Sequence, residues 1–134
     1  AYFMVMDLID TGVNIDRQDQ FGRTAVILAA KSNDAPMVDI LINCEPDLDL
    51  RDCIGRTALM IAAENGYANV AESLMNGGAD LDLRDFKGMS ALMYAGKHGH
   101  QAIFDLLVNK GADREARSAS GHAAEHFAEA HRKN

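Results

Sequence analysis

The chain has 134 residues, room for one domain, and its 13 basic against 20 acidic residues give a formal net charge of -7. That acidity argues against nonspecific binding to nucleic-acid backbones or anionic membranes, and it favours a soluble surface that could meet a basic partner. No apolar run reaches the roughly 18 residues of a membrane-spanning helix, and apolar Ala1 to Asp10 lacks the basic start of a signal peptide.

In chain order the sequence falls into units. Gly22, Gly55, Gly88 and Gly121 recur every 33 positions, and a second comb of Gly12, Glu45, Gly78 and Gly111 introduces acidic stretches. A fixed period of this length marks a solenoid, in which each unit buries its apolar face only against its neighbours. Residues 1–18 read as a partial unit, 19–51, 52–84 and 85–117 as full units, and 118–134 as a closing half unit. Ala1 is in phase with Asp34, so the first unit supplies only a second helix, about Tyr2 to Ile9, and further repeats or a cap are expected before it.

The unit from Asp52 to Arg84 shows the plan most clearly. Thr57 supplies a hydroxyl N-cap for a helix over about Ala58–Asn65, which Gly66 ends in a left-handed conformation. A second helix spans about Ala68–Asn76, with Val70, Ala71, Leu74 and Met75 on one stripe, and Gly77-Gly78 stop it. Asp80-Leu81-Asp82-Leu83 then run out extended and turn back at Gly88 as a projecting hairpin. Paired small residues let successive first helices approach closely: Ala29-Ala30, Ala62-Ala63 and Ala95-Gly96. Met60, Met75 and Met93 fall at apolar positions and read as core filler. In the closing unit Glu125 and Glu129 replace apolar residues, giving the polar outer face with which a solenoid stops.

These residues together resemble the ankyrin repeat. Asp52-Cys53-Ile54-Gly55-Arg56-Thr57-Ala58-Leu59-Met60-Ile61-Ala62-Ala63 and Leu106-Leu107-Val108-Asn109-Lys110-Gly111-Ala112-Asp113 carry the resemblance, with Gly99-His100 between helices. It implies an all-α solenoid of helix-turn-helix units with projecting β-hairpin loops. Where the family has proline this chain has Ala25, Ala58 and Ala91. Where it has the following histidine the chain has Ile27, Met60 and Met93, so the hydroxyl–imidazole network gives way to apolar packing. Glu45-Pro46-Asp47 replaces the family's Gly-Ala-Asp and should stiffen that exit.

Chemistry is sparse. The acids Asp47, Asp49, Asp52, Asp80, Asp82 and Asp85 alternate with leucines, as in an extended arm with one buried face, and lack the spacing of a calcium loop. His122 and His126 are four apart, but no third ligand aligns with them for zinc. No nucleophile elbow, phosphate loop or dinucleotide fingerprint is present, so neither enzyme activity nor a cofactor is expected. Cys44 ends a helix and Cys53 sits at a hairpin tip, which makes a bridge between them unfavourable. Two free thiols suit a reducing, cytoplasmic setting, with a periplasmic or exported protein carrying unpaired thiols as the alternative.

What remains is recognition. The tips Gln20-Phe21-x-Arg23, Cys53-Ile54-x-Arg56 and Phe86-Lys87-x-Met89 set large apolar residues beside polar ones, and Lys31, Glu64, Lys97 and His98 follow on the first helices. The resemblance implies that these positions line a concave surface that binds another protein, with the chain itself a monomer. A stand-alone inhibitor or immunity-like protein, or a regulatory or targeting segment of a longer protein, are the competing roles. Arg51, Arg84 and Arg117 form a ladder at one phase, expected to pair with neighbouring acids.

Overall fold

The computed structural model describes residues 14–133, so the helix expected at Tyr2 to Ile9 lies outside the described residues. Two layers of helices alternate along the chain. The first layer is α1 (Ala25–Lys31), α3 (Ala58–Asn65), α5 (Ala91–Lys97) and α7 (Ala124–Lys133); the second is α2 (Ala35–Ile42), α4 (Ala68–Asn76) and α6 (Gln101–Asn109). Thr24, Thr57 and Ser90 start the first three inner helices, each hydroxyl accepting the N–H three residues on, at 3.2, 3.3 and 3.4 Å. Such a cap satisfies one of the orphan donors of a helix start and is worth about 1 kcal/mol. Gly66 ends α3 at φ 77°, as its position required.

Among the described residues the main packing runs between neighbours: α1 on α3 on α5 on α7, α2 on α4 on α6, and α1, α3 and α5 on the second helix of their own unit. The paired small residues are the reason the inner helices nest. Ala30, Ala62, Ala63 and Ala95 are fully buried, and a Cβ on Gly96 would sit 3.1 Å from both the Ala124 carbonyl oxygen and the Ala128 nitrogen. Both layers supply the bulk, contrary to the expectation that the second helices carry it: Ile27, Leu59, Ile61 and Leu92 of the first layer are as deeply buried as Val38, Leu41, Val70, Leu74 and Leu107 of the second. Met60, Met75 and Met93 lie in the same core.

The loops project as fingers, but among the described residues they form no strand, and an isolated bridge joins Arg117 to Ala123. A local competition explains this departure from the expected β-hairpin. Asp19 N–H donates to the Arg23 carbonyl at 3.0 Å, and the reciprocal Arg23 N–H is taken by the Asp19 carboxylate at 2.9 Å. Asp52 and Asp85 take the N–H of Arg56 and Met89 in the same way. An acid that claims the return donor leaves one backbone rung per finger, too few for a ladder.

Two further ladders at the repeat spacing hold the fingers in line. Gln18, Arg51 and Arg84 each donate from the side chain to the backbone carbonyl of the residue 33 positions on, at 2.9, 2.9 and 2.7 Å. Arg117 turns to the Gly121 carbonyl instead. The arginines therefore do not pair with acids as expected: Arg51 and Arg84 give a guanidinium N–H to the next repeat's backbone, and Arg117 gives one to its own finger. The acids of the exits are engaged in parallel. Asp16, Asp49 and Asp82 accept the backbone N–H of Asp47, Asp80 and Asp113, each at 2.8 Å. They stitch one unit to the next.

At the second exit Glu45 holds φ 54°, the left-handed conformation that Gly78 and Gly111 adopt at the same phase. The second helix has already ended at Ile42, before Pro46.

Candidate functional site

Two open clefts lie side by side between successive fingers and the inner helices. The first, about 310 Å³, is lined by Phe21, Arg23, Lys31, Cys53, Ile54 and Arg56 together with Asp52. The second, about 490 Å³, is lined by Ile54, Arg56, Glu64, Phe86, Lys87, Met89, Lys97 and His98 together with Asp85 and Tyr94. Ile54 and Arg56 form the ridge between them. The structure thus gathers twelve of the thirteen sequence-selected residues onto one continuous face. Gln20 lies just outside, in the hollow bordered by Asn14 and Leu28.

The fingertips are apolar and open. Phe21 is 47% exposed, Ile54 48% and Phe86 74%. The packing between adjacent fingers is only partial. The Phe86 ring leans over the preceding finger, its Cδ1 lying 2.8 Å from where a Cβ on Gly55 would be, and most of its surface stays free. Arg23 lies over the Phe21 ring, 4.8 Å from its centroid, a cation–π contact that also fixes the arginine. Met89 departs from expectation. It is 6% exposed and belongs to the hydrophobic core, so it forms cleft floor and is not a free contact residue.

The charges of this face divide into engaged and free groups. Arg23 pairs with Asp19 at 2.9 Å; Arg56 bridges Asp52 and Glu64, each at 3.2 Å. The Arg23 backbone N–H, above all, holds the Asp19 carboxyl below its ordinary value, with the Phe21 N–H and the Arg23 guanidinium adding to it. Among the described residues the ammonium groups of Lys31, Lys87 and Lys97 are exposed and make no hydrogen bond or ion pair. The net negative charge of the chain therefore does not describe this face. Exposed acids such as Asp39 and Glu72 line a different hollow, of about 740 Å³, between α2 and α4.

Sequence reasoning missed Tyr94. In the first two full units an arginine guanidinium, Arg23 or Arg56, meets the second carboxylate oxygen of the finger acid. The third unit has Met89 there, and the Tyr94 hydroxyl donates to Asp85 Oδ2 instead. Burial raises the Tyr94 phenol far above its ordinary value of 10.0, and the adjoining Asp85 carboxylate raises it further. The signal was legible as a coupled exchange: arginine lost at Met89, and tyrosine gained where the other units have Leu28 and Ile61.

His100 has a structural place. His100 Nε2–H donates to the Glu64 carbonyl at 3.0 Å, its ring filling the space left by Gly66 and tying α6 to the preceding unit. The His122 and His126 rings meet edge to face at 3.9 Å between centroids. Among the described residues no group of three or more His, Cys, Asp or Glu is placed to hold a metal ion. Cys44 and Cys53 are free thiols. No helix among the described residues is long and apolar enough to cross a membrane.

The sequence model described as "Ankyrin repeats (3 copies)" matches residues 2–85, and the one described as "Ankyrin repeat" matches residues 87–119. No curated protein matches the chain.

Proposed function

The chain belongs to the ankyrin-repeat family, whose repeats are generally protein–protein interaction modules, and from that premise we propose that it binds a partner protein noncovalently through the face made by the fingertips and inner helices. The carrying observation is the run of exposed Phe21, Ile54 and Phe86 on three successive fingers. Apolar side chains so exposed in a row are unusual for a surface with no partner, and each stands beside a cation. Aromatic and aliphatic anchors flanked by charged side chains are the usual composition of binding hot spots. The clefts are open, so they suit a protein surface or segment better than water-excluding chemistry on a small substrate.

The test is affinity capture from the native source, followed by mass spectrometry, with wild-type chain and with Phe21→Ala, Ile54→Ala and Phe86→Ala combined. These side chains are exposed, so the variant keeps its fold, checked by circular dichroism. A partner recovered by the wild type should be lost with the variant, each truncation weakening binding by about 1–2 kcal/mol. Undiminished recovery would remove this face from the proposal.

A further inference from the structure

We infer that the face takes an acidic segment of its partner, one carrying large apolar side chains between Asp or Glu residues. This deepens the reading above and rests on it. Three observations carry it.

The first is which charges are still available. Every carboxylate at the cleft walls is already engaged: Asp85 Oδ1 accepts the N–H of Lys87 and Met89 while Oδ2 accepts the Tyr94 hydroxyl. Asp52 accepts the N–H of Ile54 and Arg56 and pairs with the Arg56 guanidinium, and Glu64 pairs with the same guanidinium. Asp52 and Asp85 are each only 8% exposed. Lys31, Lys87 and Lys97 have no such engagement among the described residues. A partner meeting this face therefore finds exposed, unpaired cations, while the carboxylates are held in hydrogen bonds or ion pairs within the fold, Asp52 and Asp85 largely out of its reach.

The second is how those cations are arranged. Lys31 stands in the first cleft with Phe21 and Ile54, and Lys87 and Lys97 stand in the second with Phe86. Each cleft thus combines apolar anchors with at least one free ammonium. A segment that carries both large apolar and acidic residues matches that combination, whereas a basic segment would set like charges together in both clefts.

The third concerns range. The chain as a whole is strongly acidic, which would repel a long polyanion. At physiological ionic strength fields decay over about 8 Å, so a short acidic segment seated among three lysines responds to them and not to the distant acids. A nucleic acid extends past the patch and meets the acidic remainder.

Selection of a displayed random dodecapeptide library on the folded chain tests this. Two counter-screens are run, one with Lys31→Glu, Lys87→Glu and Lys97→Glu combined, the other with the three fingertip alanines. The expected pool is rich in Asp and Glu with aromatic or branched aliphatic residues. Its members should lose on the order of a hundredfold in affinity on the charge-reversed chain and weaken as salt rises. A pool that depends on the fingertips but is basic or uncharged overturns the acidic assignment and leaves the binding face standing. Peptides indifferent to the fingertip alanines, or no enriched peptide, overturn the face itself. A 20-nucleotide single-stranded DNA bound more tightly than the best peptide, and released by the charge reversal, also overturns the inference.

Discussion

The exchange of Arg56 for Tyr94 as guardian of the finger acid makes a quantitative claim about stability. Replacing Tyr94 by Phe keeps the ring, which is 7% exposed and part of the core, and removes only the hydroxyl. Asp85 then keeps its two backbone donors at 2.9 and 3.0 Å, but Oδ2 loses its donor in a residue 8% exposed. A hydrogen bond to a charged group, lost so that a mostly buried oxygen is left unpaired, costs about 1.5–3 kcal/mol, and we expect about 2. For a domain of this size that lowers Tm by roughly 6–10 °C. The other repeats supply the rescue. Met89→Arg puts a guanidinium where Arg23 and Arg56 sit, so Tyr94→Phe with Met89→Arg should recover at least half of the loss. Urea denaturation of the four members of this double-mutant cycle gives the coupling directly. A cost below about 0.5 kcal/mol for Tyr94→Phe, or additive effects in the double variant, would refute the argument that the two side chains serve one acid.

Two other outcomes follow from the same geometry. Gly88 and Gly121 both hold positive φ, 74° and 86°, but a Cβ on Gly88 would fall 2.6 Å from the Ala119 nitrogen whereas one on Gly121 meets nothing within 4 Å. Gly121→Ala should cost about 1 kcal/mol from backbone strain alone, and Gly88→Ala at least twice that in urea melts; equal costs would mean that finger stacking is looser than described. For pH, the Tyr94 phenol is raised in the fold, so its contribution is complete below the ordinary tyrosine value of 10.0 and is lost above it as the unfolded chain ionises first. The stability advantage of wild type over Tyr94→Phe should therefore be flat from about pH 7 to 9 and narrow by up to ~1.4 kcal/mol per pH unit beyond 10, measured by thermal melts; an advantage that grows would reverse the assignment.

The extent to which the sequence disclosed this molecule follows the physics of each feature. The second full unit's helices were legible at both ends, because local signals repeat in phase: Thr57, the paired alanines and Gly66 bound Ala58–Asn65, and the apolar stripe and Gly77 place Ala68–Asn76. The fingers were legible as positions but not as structure, since strand or turn depended on whether Asp19, Asp52 and Asp85 would take the return N–H, a contest that spacing does not decide. Met89 read as a tip residue because it shares a phase with Arg23 and Arg56; only packing reveals that losing the charge let the side chain sink into the core. The arginine ladder misled for a related reason. Charge suggested acids as partners, but at the repeat spacing Arg51 and Arg84 meet a backbone carbonyl, and repetition makes that geometry available again in the next unit. The same reasoning separates net charge from local charge at the proposed binding face. Composition counts an acid wherever it lies. A partner would find the cleft carboxylates already bonded within the fold, and in a solenoid that fastens its own loops with aspartates the exposed cations left without a bond at the clefts are lysines.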